Sequence, residues 1–139
     1  AGFRNVVDNT GLMGRWQVLG ERPRTIADVA HNVDGIRVVR AMLANEHYAK
    51  LHIVLGMVND KDLSKVLSEL PDQAAYYFCK ADIPRGLNAD LLREQSEAHG
   101  LTGSVYPTVA SAYQAARTAA EPDDLVLVTG SVFVVAEVV

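Results

Sequence analysis

The sequence has little of what marks secreted, membrane or nucleic-acid-binding proteins. Cys79 is its only cysteine, so no internal disulfide can form. That thiol lies in an apolar run and reads as a small packed hydrophobe in a reducing compartment. No apolar stretch approaches the roughly 20 residues needed to span a bilayer. The opening Ala1-Gly2-Phe3-Arg4-Asn5 has no apolar signal core. Lys and Arg total 13 against 17 Asp and Glu, and the formal charge of −4 offers no attraction to nucleic acid or an anionic membrane. The expected setting is therefore cytoplasmic, with no membrane and no nucleic-acid partner. Two glycine patterns are missing as well. No G-x-G-x-x-G follows the first strand, and no G-x-x-x-x-G-K-[ST] phosphate loop occurs, so a dinucleotide is not indicated and a phosphate loop would have to lie elsewhere. The chain does not begin with Met and opens in mid-pattern, which reads as a piece of something longer.

What is present is a globular composition. Hydrophobic residues make up 49% and charged residues 22% of 139 positions, enough to bury one core without staples. Residues 1–13 are hard to type and read as a linker. Trp16 to Leu19 and Thr25 to Ala27 are short strands. The intervening Gly20-Glu21-Arg22-Pro23-Arg24 turns the chain back as a hairpin, making the first strand antiparallel. Strand–helix alternation follows. Leu51 to Leu55 is an apolar strand, and Asp60 opens a helix with Leu63, Val66, Leu67 and Leu70 on one face, ended by Pro71. Ala74 to Cys79 is the next strand. Asn88 caps a third helix that Gly100 closes. Ser104 to Tyr106 is a short strand, Thr108 caps a fourth helix, Leu125 to Val128 is the last strand, and Ser131 starts a helix over 132–138. This predicts an α/β fold: a Rossmann-like three-layer sandwich around a mainly parallel six-stranded sheet with one antiparallel edge strand and about five helices.

The most informative run is Thr25 to Gly35. An apolar strand turns polar at Asp28, His31 and Asn32, then becomes a helix with Ile36, Val39, Met42 and Leu43 on one face. Such a turn sits at the carboxyl edge of the sheet, where open α/β folds bind ligands. The helix start near Asp34 directs N–H groups and a positive dipole end there, which suits phosphate. An aspartate can accept two ribose hydroxyls, and a histidine can donate to an oxyanion or stack on a base. The same residues also serve plain turns: Asp28 can satisfy loop N–H groups, Asn32 or Asp34 can cap, and His31 can be exposed. No third ligand of recognisable spacing joins Asp28 and His31, so a metal site is not indicated. Lys61, after a strand-end glycine, and Ser131, opening the last helix, are further candidates at this edge for substrate carboxylates; both also read as ordinary helix-start residues. His47, His52 and His99 read as structural or exposed.

Asp28-Val29-Ala30-His31-Asn32 resembles the D-x-A-H-N signature of the Mur ligase superfamily, specifically the C-terminal domain of folylpolyglutamate synthetases and dihydrofolate synthases. Gly14-Arg15-Trp16 resembles that family's G-R-F/W. Gly56-Met57-Val58-Asn59-Asp60-Lys61-Asp62 resembles its G-M-x-x-D-K-D, and Val128-Thr129-Gly130-Ser131 its V-x-G-S. Val33 departs from the proline usual after H-N. The resemblance implies a C-terminal domain over 14–139, joined by the 1–13 linker to an N-terminal ATPase domain that carries the phosphate loop and the magnesium ligands. It implies Arg15 and Asp28 as the ATP pair, with His31 and Asn32 in the same loop. Lys61 and Ser131 would hold L-glutamate, and Arg85, in the family's R-G position, would line the cleft; Asp82 beside it reads as solvated. The implied reaction is ATP-dependent: folate or dihydropteroate is activated as an acyl phosphate and attacked by L-glutamate. The isolated chain is then expected to be inactive. Two other readings stand beside this one: a flavodoxin-like binding or receiver module, and the C-terminal domain of a cell-wall Mur ligase.

Overall fold

In the computed structural model, residues 17–21, 23–30, 32–58, 63–84 and 86–138 are described. The expected 1–13 linker, the Gly14-Arg15-Trp16 motif, and His31, Lys61 and Arg85 lie outside them. Six strands and five helices follow in the order β1 (Gln17–Glu21), β2 (Arg24–Ala27), α1 (Val33–Leu43), β3 (Leu51–Leu55), α2 (Leu63–Glu69), β4 (Ala75–Phe78), α3 (Ala89–Glu97), β5 (Gly103–Val105), α4 (Val109–Ala119), β6 (Leu125–Thr129) and α5 (Val132–Ala136).

The strands form one sheet in the order β1-β2-β6-β3-β4-β5. Only β1 runs antiparallel, as the hairpin predicts; its pairing with β2 shifts register between Val18 and Gly20. The hairpin is tighter than the sequence suggests, because pairing continues to Glu21 opposite Arg24. An ion pair from Arg24 to Glu21 closes that end. Every residue of β3 and β6 is buried, as expected of central parallel strands covered on both sides.

Strand alternation divides the core into two clusters. Ile26, Ile53, Leu55, Leu125 and Leu127 face one side, where Ile36, Val39 and Leu43 of α1, Leu63, Val66 and Leu67 of α2, and Leu92 of α3 pack on them. Ala27, Val54, Val126 and Val128 face the other, against Val109, Ala112 and Ala116 of α4 and Val134 and Val135 of α5. Three layers result. Met42, expected on the buried face of α1, is only half-buried.

Helix ends follow local chemistry. Asn32, Asn88, Thr108 and Ser131 each cap a helix with a side-chain oxygen, and Thr108 and Ser111 make a reciprocal capping box. After α3 the chain leaves through Gly100 at φ +80°, with Leu101 N–H bonded to Ser96 O and Gly100 N–H to Glu97 O. This is the left-handed exit that glycine favours. The last helix stops at Ala136, two residues short of the expected Val138, with Glu137 as its C-cap.

Candidate functional site

The sheet order creates a switch point. β2 leads into α1 on one face, whereas its neighbour β6 leads into α5 on the other. At the carboxyl ends of two such strands the following helices diverge and leave a crevice, the usual ligand position in open α/β sheets. Asp28 follows β2 at that place, and Ser131 follows β6. Gly56 and Met57 leave β3 on the far side of β6.

Asp28 is 3% exposed. Its N–H donates to Val128 O at 3.0 Å, continuing the β2–β6 ladder one step past the strand. Its Oδ1 accepts the Ala30 N–H at 2.9 Å, which fixes the carboxylate's orientation. Asn32 is exposed, and its Oδ1 accepts the Gly35 N–H at 2.8 Å as the cap of α1. Of the two capping candidates, Asn32 is the one that caps. Ser131 is 3% exposed, with Oγ accepting the Phe133 N–H at 3.1 Å.

The turn into Ser131 is built around Gly130, whose φ is +110°. A Cβ there would meet Gly56 O at 2.3 Å, so three strand exits converge where no side chain fits. Ala30 O accepts the Gly130 N–H at 3.1 Å and the Thr129 hydroxyl at 3.3 Å. On the other flank, Val58 bridges to Gly86, and Leu87 N–H bonds Met57 O at 2.8 Å. The loop after β4 thus lies against the exit of β3. Asp82 in that loop is exposed.

The structure therefore brings together Asp28, Asn32 and Ser131 at one edge; Arg15, His31, Lys61 and Arg85 are outside the described residues. Among the described residues no group of three or more His, Cys, Asp or Glu side chains could hold a metal ion. Thr129 was not singled out from the sequence, although it lies inside the Val128–Ser131 motif. A hydroxyl ending an aliphatic strand was the available signal.

A second polar group lies at the opposite, amino edge. His52 is buried in β3, its Nε2 2.9 Å from Asp124 Oδ2 and its Nδ1 2.8 Å from the Tyr77 hydroxyl. Burial opposes ionisation of Asp124. The Glu121 N–H and the His52 ring outweigh it, so the carboxyl lies below its usual range. An open groove of about 620 Å³ runs past this edge, lined among others by Arg24, Glu46, Tyr48 and Asp124. It is remote from the strand exits, and its Arg24 is already paired with Glu46 and Glu21, so it is not the ligand edge. Cys79 is fully buried beneath Gly56, and burial pushes its thiol up to about 12. No helix among the described residues is long and apolar enough to cross a membrane.

Residues 14–132 match the family model described as Mur ligase, glutamate ligase domain. A probable bifunctional folylpolyglutamate synthase/dihydropteroate synthase of Haloferax volcanii is 42% identical over 132 residues, covering 93% of this chain and 16% of that protein. The structure of Escherichia coli FolC in complex with DHPP and ADP superposes with a TM-score of 0.80 at 35% identity, over 90% of this chain and 30% of that one. A bifunctional folylpolyglutamate synthase/dihydrofolate synthase with Mn, AMPPNP and L-glutamate bound superposes at 0.81 and 35%, with the same coverage. The chain thus spans less than a third of the length of each of these relatives.

Proposed function

Because the chain belongs to the family of Mur ligase glutamate ligase domains, we propose that it is the C-terminal part of an ATP-dependent folylpolyglutamate synthase/dihydrofolate synthase, supplying one wall of the nucleotide and glutamate cleft. The observation that carries this is that a buried, oriented Asp28 and a buried Ser131 follow the adjacent strands β2 and β6 at the switch point. Similar enzymes bind ADP, an ATP analogue with manganese, and L-glutamate. In this chain Asp28 would accept the ribose hydroxyls, with Arg15 as its cationic partner and His31 and Asn32 completing the loop. Ser131 and Lys61 would hold the glutamate carboxylates, and Arg85 would line the cleft beside them.

ATP, with magnesium, supplies the phosphoryl group that activates the carboxylate of folate or dihydropteroate when bound. On this reading the phosphate loop and the magnesium ligands would belong to an N-terminal ATPase domain joined through residues 1–13, as the family resemblance implies. What this chain contributes is position. Asp28 and Ser131 sit on neighbouring strand ends held by backbone hydrogen bonds, so nucleotide and amino acid meet at a fixed separation. A cleft between two domains can close over both and exclude water.

A receiver module is not favoured. It needs an acidic pair after the first parallel strand and an aspartate after the central one. Asp28 and Asp60 do not reproduce that arrangement, and the relatives are folate ligases. A cell-wall ligase shares the family but not the folate names of the relatives. The test is Asp28→Ala in a full-length enzyme carrying this chain. Loss of charge-assisted bonds to two hydroxyls, about 1.5–3 kcal/mol, raises the KM for ATP about tenfold or more and leaves that for glutamate near its starting value. An unchanged ATP response would return Asp28 to a plain turn residue.

A further inference from the structure

We propose that Thr129 is a positioning residue that ties the nucleotide half of the cleft to the amino-acid half; this rests on the cleft reading above. Thr129 is fully buried at the end of a strand whose other residues are aliphatic, Leu125-Val126-Leu127-Val128. A hydroxyl in that setting needs a partner. It finds one 99 residues away in sequence, donating to Ala30 O at 3.3 Å.

Ala30 is the centre of the tie. Its carbonyl takes both the Thr129 hydroxyl and the Gly130 N–H, occupying the two lone pairs of one oxygen. Its own N–H holds the Asp28 carboxylate at 2.9 Å. Ser131 follows Gly130 directly. A chain of bonds therefore runs from the Asp28 carboxylate through the backbone of Ala30, entering at its N–H and leaving at its carbonyl, to the turn that presents Ser131. Gly130 cannot shift freely within it, because Gly56 O lies 2.3 Å from the place a Cβ would take. Movement of the Asp28 loop carries the Ser131 turn with it, and the two substrates are held in one frame.

Thr129→Val keeps the volume and removes the hydroxyl. Ala30 O retains the Gly130 N–H, so no buried carbonyl is orphaned and the fold survives. The Thr129 bond is a long one for a hydroxyl donor, so the effect is modest. In a full-length enzyme carrying this chain, Thr129→Val raises the KM for ATP and for L-glutamate together, by about three- to fivefold each. It also speeds amide hydrogen exchange at Ala30 and Gly130, and Thr129→Ser restores both properties. Unchanged exchange at those two amides, or a rise in one KM alone, overturns the tie. Asp28→Ala and Ser131→Ala, each removing a group that touches one substrate and so moving chiefly that substrate's KM, are the controls. If neither moves any KM, the cleft reading has failed, and exchange alone decides whether Thr129 joins the loops.

Discussion

Replacing Gly130 with alanine tests how the strand exits are packed. The residue has φ +110°, and an added Cβ would lie 2.3 Å from Gly56 O, 2.9 Å from Leu55 Cδ1 and 3.0 Å from Met57 Sδ. A non-glycine residue held in so sparsely populated a conformation costs about 1–3 kcal/mol. The clash adds to this, because Gly56 O is backbone and cannot swing aside. Its retreat would pull on the 3.4 Å bond from Gly56 N–H to Thr129 O, worth about 1 kcal/mol. The expected loss is about 2–4 kcal/mol, large against the roughly 5–15 kcal/mol that holds a domain together. In urea, with a slope of about 1.5–2 kcal/mol/M, the unfolding midpoint falls by about 2 M. Gly100→Ala separates strain from collision: Gly100 has φ +80° but nothing within 4 Å of its Cβ position. It should lose only about 1 kcal/mol. Equal midpoints for the two variants would refute the idea that a backbone oxygen seals the β6–α5 turn.

Two further outcomes follow from buried groups. Asp124 has a lowered pKa in the folded protein, so its contribution is present above its unfolded value, about 3.9, and is lost as pH falls through the folded value. Asp124→Asn should therefore cost about 1 kcal/mol at pH 7, after allowance for screening at an open groove. The gap from wild type should close in acid denaturation curves below about pH 4; a gap that widens there would contradict the sign. Cys79, with its thiol pushed up to about 12 and no exposed surface, should resist alkylation by iodoacetamide at pH 8 in the native protein and react only on unfolding. Rapid labelling of native protein would mean that the layer under Gly56 opens.

Much of the local structure was legible in the sequence because it is local chemistry. The caps at Asn88, Thr108 and Ser131 and the exit at Gly100 depend on a side chain or a φ angle within a few residues of each helix end. The buried strands read at Leu51 to Leu55 and Leu125 to Val128 depend on apolar runs, broken in the first only by His52. The family resemblance likewise lies in short contiguous motifs, and it implies a shared cleft for Asp28 and Ser131.

Tertiary structure decided what those motifs lie beside. Nothing in the run Leu125 to Thr129 says that the last strand slots between β2 and β3; an apolar strand has the same pattern wherever it pairs. That insertion puts Asp28 and Ser131 after adjacent strands and makes Ala30 the partner of Thr129. It also brings His52 to Asp124, 72 residues apart, a contact no spacing could signal. The sequence by itself determined which segments form strands and helices and which family's motifs they carry. The order of strands, and with it the neighbours of each polar side chain, came only with the folded sheet. The physical reason is that burial periodicity records whether a residue is covered, while hydrogen bonding between strands distant in sequence determines what covers it.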